Sequence, residues 1–276
     1  MENQKNVDPI VSIVKGKILG LMMVKNERKN IKRTLRAFEP IVDRWLFVDT
    51  GSTDGTDNKI KSVLRKQNKI FDIVPNVPWV CYSFNRNLLL DGAKQLDKIY
   101  SWTIMVDAGD ECKNIDSLRQ TLLMDNDFNM CYVPIETDGS VKYCQPRLLS
   151  NPTDLRYRYQ LHETIRPVSD TKVNNNLRNH ENPFTIIHNY SDDKVNNRDR
   201  SKDGERLLAE MGNPSFDNYD RKNRLENVVH HYIRFNNLEE ARKHFDTLVK
   251  EYYEFDETDA NSEWDRINKI ISNNIV

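Results

Sequence analysis

The segment Val48-Asp49-Thr50-Gly51-Ser52-Thr53-Asp54-Gly55-Thr56 restricts the fold more than any other stretch of this chain. It continues the apolar run Trp45-Leu46-Phe47-Val48, so it reads as a buried strand that ends on a carboxylate and then turns sharply. Gly51 and Gly55 relieve the steric cost of such a turn. Ser52, Thr53 and Asp54 are good N-caps for a helix that follows. A strand ending in Asp, a Gly-Ser-Thr turn and a helix is how many α/β proteins hold a nucleotide at a strand's carboxyl end. An ordinary capped turn between strand and helix shares that local pattern, so context decides.

Two further segments supply the context. Ile18-Leu19-Gly20-Leu21-Met22-Met23-Val24 is a buried-strand pattern that ends in Lys25-Asn26-Glu27. Trp102-Thr103-Ile104-Met105-Val106 ends in Asp107-Ala108-Gly109-Asp110-Glu111. Each apolar strand thus finishes in a polar cluster that contains a carboxylate. Parallel neighbours would line the three clusters along one edge of one sheet.

Between these strands the periodicity predicts helices over about 27–38, 54–66 and 83–97, and a short strand at 70–74. Pro75 and Pro78 force an irregular loop through Trp79, Val80 and Cys81. Asp138-Gly139, between the apolar runs 130–135 and 141–144, signals a hairpin. Residues 155–165 and 184–190 read as further strands or strand-like loops, 168–182 as a polar surface loop, and the chain from about 194 onward as helical. Alternating strand and helix followed by a hairpin predict a mainly parallel sheet with antiparallel additions. Tyr232, Ala241 and Phe245 match the spacing of one tetratricopeptide-like helix pair. One copy cannot stack into a solenoid, so a helical cap or a contact surface, including one between copies of this chain, is expected instead.

Composition narrows the function. Lys and Arg number 41 against 42 Asp and Glu, leaving a net charge of −1, so bulk charge predicts neither nucleic-acid nor anionic-membrane binding. Mean hydropathy is −0.75, and the most apolar run, Ile18 to Val24, is far short of the roughly 20 residues that span a bilayer. The N-terminus opens polar, without a secretory pattern. Cys81, Cys112, Cys131 and Cys144 show no paired zinc-like spacing, which fits reduced thiols in the cytoplasm.

Met23-Val24-Lys25-Asn26-Glu27, the segment 48–56, Asn85-Arg86-Asn87 and Val106-Asp107-Ala108-Gly109-Asp110-Glu111 occur in that order. In this they resemble family 2 glycosyltransferases with the GT-A fold. Leu161-His162-Glu163 and Ile187-His188-Asn189-Tyr190 resemble the small bacterial-type members. The resemblance covers about 18–200. Residues 1–15 read as a loose leader with little periodicity, and the resemblance implies a Rossmann-like α/β/α sandwich over 16–200 that binds a nucleotide sugar, followed by a helical segment over 201–276. It implies inverting, metal-assisted transfer of a sugar from a nucleoside-diphosphate sugar, most commonly a UDP-sugar, to a hydroxyl of a glycan, protein or lipid.

Transfer of this kind needs the charge growing on the leaving diphosphate to be neutralised, and carboxylates holding a hard cation such as Mn²⁺ or Mg²⁺ do that. The family places Asp-X-Asp here. This chain has Asp-X-X-Asp, which leaves Asp110 and Glu111 as alternatives for the ligand that joins Asp107. His188 is a third metal or phosphate contact, or a packed core residue. By the same resemblance Asp49 accepts a hydrogen bond from the base, and Glu27 with the backbone near Val24 frames base and ribose, while Arg86, at a helix start, fits a nucleotide or diphosphate contact. Glu163 is the expected general base, with Asp138 second because a turn explains it better. Lys194, Arg198 and Arg200 form either a basic lid over the diphosphate or the solvated face of a helix. The rival readings are a nucleotidyltransferase and a nucleotide-binding scaffold without catalysis. The first would carry a glycine-rich basic loop where this chain has Lys25-Asn26-Glu27-Arg28-Lys29.

Overall fold

The computed structural model of the protein describes residues 16–123, 129–168, 181–189, 202–253 and 257–273. The expected leader, Tyr190, Lys194, Arg198, Arg200 and most of the expected loop at 168–182 lie outside the described residues. The chain divides into two compact units, residues 1–158 with 163–195 and residues 159–162 with 196–276.

The first unit begins with β1 (Ile18–Val24), α1 (Ile31–Ala37), β2 (Arg44–Asp49), α2 (Thr56–Lys66), β3 (Ile70–Val74), α3 (Tyr82–Lys94) and β4 (Trp102–Met105). It continues through β5 (Glu111–Lys113), α4 (Ile115–Leu123), β6 (Met130–Thr137), β7 (Ser140–Ser150), β8 (Leu155–Arg158), β9 (Thr164–Pro167) and β10 (Thr185–Ile187). Eight strands form one sheet in the order β3-β2-β1-β4-β7-β6-β10-β5, and β8 pairs with β9 in a separate ribbon. The run β3-β2-β1-β4 is parallel throughout. β7 then joins antiparallel to both β4 and β6, β10 lies parallel to β6, and β5 closes the edge antiparallel to β10. The architecture is the expected α/β one, a mostly parallel sheet covered on both faces.

Alternation along each strand sends side chains to opposite faces. In β1, Ile18, Met22 and Val24 join the core under α1, α2 and α4, while Leu19 and Leu21 join the core under α3 and the β8–β9 ribbon. Each fully buried side chain of this kind contributes roughly 1.5–3 kcal/mol. Gly20 lies against Trp45: a Cβ there would come within 2.5 Å of the indole ring. Trp45 in turn stacks on Phe47 with centroids 5.6 Å apart.

Several expectations need correction. The helix expected from 27 starts at Ile31, because Glu27, Asn30 and Ile31 form a turn in which the Glu27 carbonyl accepts both later N–H groups. Neither Ser52, Thr53 nor Asp54 caps α2. Its N-cap is Gly55 with φ of 82°, and Asp54 Oδ1 accepts from the Thr56 N–H at 3.0 Å. β5 and α4 were not expected. The hairpin is tight: Thr137 faces Ser140, and Asp138 and Gly139 take φ of 53° and 77°, the left-handed pair that a two-residue turn between twisted strands requires.

The second unit holds α5 (Asp203–Met211), α6 (Asn218–Arg234), α7 (Leu238–Tyr252) and α8 (Glu257–Asn273). Leu225, Val229, Ile233, Ala241, Phe245 and Leu248 form its core, so two of the three residues with repeat-like spacing are buried between α6 and α7. Its fully buried Arg224 lies 3.8 Å over the Tyr159 ring and donates to the carbonyls of Leu161 and His162. Asp217 caps α6 in a reciprocal capping box with Asp220. Among the described residues, no helix is long and apolar enough to cross a membrane.

Candidate functional site

The carboxyl ends of β1 and β2 are laced together. The Val24 carbonyl accepts from the Thr50 N–H at 3.0 Å and its hydroxyl at 3.3 Å. The Asn26 N–H donates to Ser52 Oγ at 3.0 Å, and Asn26 Oδ1 accepts from the Thr53 N–H at 2.8 Å. The N–H groups of Glu27 and Arg28 donate to Thr56 Oγ1 at 2.7 Å and to Asp54 Oδ2 at 3.0 Å. Asp49 Oδ1 accepts from the N–H groups of Gly51 at 3.0 Å and Ser52 at 2.8 Å. The conspicuous turn residues therefore hold each other first, and Val24, Glu27 and Asp49 are buried within that lacing.

The loop ahead of α3 is tied down as well. The Val77 N–H donates to the Asp49 carbonyl at 2.9 Å, while buried Asn85 accepts from the Val80 N–H and donates to the Pro78 carbonyl, both at 3.1 Å. Asn87 exchanges two 2.9 Å bonds with the backbone of Tyr157 in β8. The two asparagines are staples, and between them Arg86 reaches the end of β4.

There Asp107 meets two guanidinium groups. Arg86 Nη2 lies 3.1 Å from its Oδ1, and Arg147 Nη2 lies 2.8 Å from its Oδ2. Burial alone would raise the Asp107 carboxyl, but Arg147 and then Arg86 outweigh it and hold the group well below the usual carboxylate range. Both guanidiniums are shifted up in return, the charge of Asp107 overcoming the effect of burial. Arg86 also bonds Glu163, Nη1 to Oε1 at 2.9 Å.

Asp110 folds back under Asp107: its Oδ2 accepts from the Asp107 N–H and its N–H donates to the Asp107 carbonyl, both at 3.0 Å. Gly109 makes this turn with φ of 110°, and a Cβ there would stand 3.0 Å from the Asn189 carbonyl oxygen. A side chain at position 109 would therefore be both strained and crowded, and the second acid of the turn stands at 110. His188, just past β10, places Nδ1 2.5 Å from Asp110 Oδ1. Ligand atoms of Asp107, Asp110 and His188 all lie within 4.8 Å of one another. Glu111 is turned away, with Oε1 accepting from Asn189 at 3.0 Å and lying 3.4 Å from Arg33 Nε. Of the two alternatives, Asp110 is the residue gathered with Asp107. Two carboxylates and one imidazole make a donor set that suits a hard divalent ion such as Mn²⁺.

The geometry therefore brings Asp107, Asp110, His188, Arg86 and Glu163 together. Asp138 is a turn residue of the hairpin, and Lys194 and Arg198 lie outside the described residues. Arg147 was missed. The apolar run after the turn ends at Cys144, whereas β7 runs on to Ser150 and buries Arg147 beside Leu148. A charge next to the apolar pair Leu148-Leu149 was the available signal, since a buried guanidinium requires an acidic partner.

No model of a known protein family matches the chain, and no curated protein matches it. Among solved structures the chain is similar to S. aureus TarS, at 12% identity and a TM-score of 0.45, over 79% of this chain and 44% of that one. It is also similar to Mycobacterium tuberculosis glucosyl-3-phosphoglycerate synthase in complex with Mn²⁺, UDP and glucosyl-3-phosphoglycerate. That likeness has 15% identity and a TM-score of 0.33, over 50% of this chain and 51% of that one. The chain thus spans about half or less of the length of these structures.

Proposed function

We propose that the first unit is an inverting glycosyltransferase, acting in the cytoplasm, that moves a sugar from a UDP-sugar to a hydroxyl acceptor with the help of a divalent metal. The observation that carries this reading is the Asp107–Asp110–His188 group, with ligand atoms within 4.8 Å, at the carboxyl end of β4. Two strands away, in the same parallel run, stands the laced turn that carries Asp49. Sequence resemblance to family 2 enzymes supports the same roles. Bound there, Mn²⁺ or Mg²⁺ would supply positive charge to the departing diphosphate.

The chain's own residues do the rest. Asp49 accepts from the uracil ring N–H, and Val24 and Glu27 frame base and ribose. Arg86 binds the diphosphate. Arg147 is fixed by Gln145 Oε1 at 2.9 Å and the Met105 carbonyl at 3.4 Å, so it keeps Asp107 ionised without leaving its place. Glu163 takes the acceptor proton as the acceptor oxygen attacks the anomeric carbon from the face opposite the diphosphate, which inverts that centre.

Calorimetry with UDP, with and without Mn²⁺, tests the reading. Marked tightening by the metal is expected, and equal affinity in both conditions would overturn it. A panel of sugar nucleotides with slow donor hydrolysis as readout separates glycosyl transfer from nucleotidyl transfer and from binding without turnover.

A further inference from the structure

Arg86 presents an apparent conflict for the proposed function, on which this inference rests. The carboxylate assigned to take a proton has its Oε1 held by a guanidinium, so that oxygen is occupied before any acceptor arrives. The same guanidinium holds the carboxylate assigned to the metal: Nη1 is 2.9 Å from Glu163 Oε1 and Nη2 is 3.1 Å from Asp107 Oδ1.

The two arginines at Asp107 are not held alike. Arg147, 4% exposed, has three anchors: Asp107, Gln145 and the Met105 carbonyl. Arg86, 11% exposed, has two carboxylates and the face of Tyr157, 5.3 Å from the ring centroid. Those carboxylates are themselves 30% and 16% exposed. Removing Arg86 from Asp107 would leave Asp107 its shorter bond, to Arg147 at 2.8 Å. A diphosphate offers the guanidinium fork several oxygens and more charge than one carboxylate does.

We infer that Arg86 changes partners. In the free protein it neutralises Asp107 and Glu163. When a nucleoside diphosphate binds, its fork turns to the phosphate oxygens and Glu163 is released to face the acceptor hydroxyl. The base is armed by the donor, so productive binding runs donor first, and Arg86 acts as a positioning residue for Glu163 as well as a phosphate contact.

A double-mutant cycle on UDP affinity, measured by calorimetry in Mn²⁺ at fixed ionic strength, tests this. Glu163→Gln removes the anion that competes for Arg86, so UDP should bind about 3- to 10-fold tighter than to the unaltered protein, the range of a partly exposed ion pair. In an Arg86→Met background the same Glu163→Gln change should leave UDP affinity unaltered. Should Arg86→Met fail to fold, Arg86→Lys, which keeps the charge without the fork, serves in its place and should reduce the tightening to under half its logarithm. Unchanged or weaker UDP binding by Glu163→Gln would make the pair a fixed strut. Tightening that persists without Arg86 would make it a general effect of charge. Either result overturns the exchange alone, whereas no UDP binding by the unaltered protein overturns the proposed function and the exchange with it.

Discussion

Asp107→Asn separates the two duties assigned to Asp107, stability and metal binding. Asparagine keeps the shape and one acceptor oxygen but loses the charge between Arg86 and Arg147. Arg86 retains Glu163, and Arg147 retains Gln145 and the Met105 carbonyl, so neither guanidinium is left without a partner. The loss is then close to one charge-assisted hydrogen bond, about 1.5–3 kcal/mol when fully buried. Asp107 is 30% exposed, and solvent screening lowers this to about 1–2 kcal/mol. In a unit of this size each kcal/mol shifts Tm by about 2–4 °C, so Tm should fall by about 2–8 °C with cooperative unfolding retained. The effect on metal-linked binding should be larger. Even residues behind metal ligands cost about 10–100-fold when removed, so the Mn²⁺-dependent gain in UDP affinity should shrink by at least that factor. Differential scanning fluorimetry and calorimetry on the same samples read both effects. A variant that unfolds within the expected range yet keeps the full metal-dependent gain would refute the place of Asp107 in the metal group.

Asp49→Ala should erode a preference for UDP over CDP in a thermal-shift panel. It should also cost about 1–2 kcal/mol of stability, because the N–H groups of Gly51 and Ser52 lose their acceptor. Equal protection by UDP, CDP and GDP in the unaltered protein would count against the base contact. Glu163→Gln should reduce sugar transfer by about 10²–10⁴-fold in a turnover assay, and retained turnover would place the base elsewhere. Gly20→Ala should destabilise the first unit by about 1–3 kcal/mol, read as a lower urea midpoint, because its Cβ would sit 2.5 Å from the Trp45 ring. An unchanged midpoint would show that the indole has room to move.

What the sequence revealed follows from the range of the forces involved. β1 was legible at both ends because a continuous apolar run is bounded by polar residues, and the hairpin because Asp-Gly meets the backbone demand of its turn. The start of α1 was obscured because the residues before it answer to the turn after β2, about 26 positions along the chain. β5 has no periodicity of its own and exists by pairing with β10, whose residues lie more than 70 positions later. The candidate site was visible as carboxylates at strand ends. Its second layer was not, since nothing around Arg147 names Asp107 as its partner, and the spacing of Asp110 and Glu111 could not say which one Gly109 would turn inward.

The lacing of the β1 and β2 turns also bears on when the site comes into being. Its bonds join residues of two different loops, so neither loop can complete its shape until β1 and β2 lie side by side in register. Under the proposed function, a nucleotide arriving afterwards would meet a floor whose conformational entropy was given up during folding, and little further ordering would be charged against its affinity. Under the proposed function, recognition of the base would in this sense be a readout of correct strand pairing: a chain with those strands out of register would have no floor to offer.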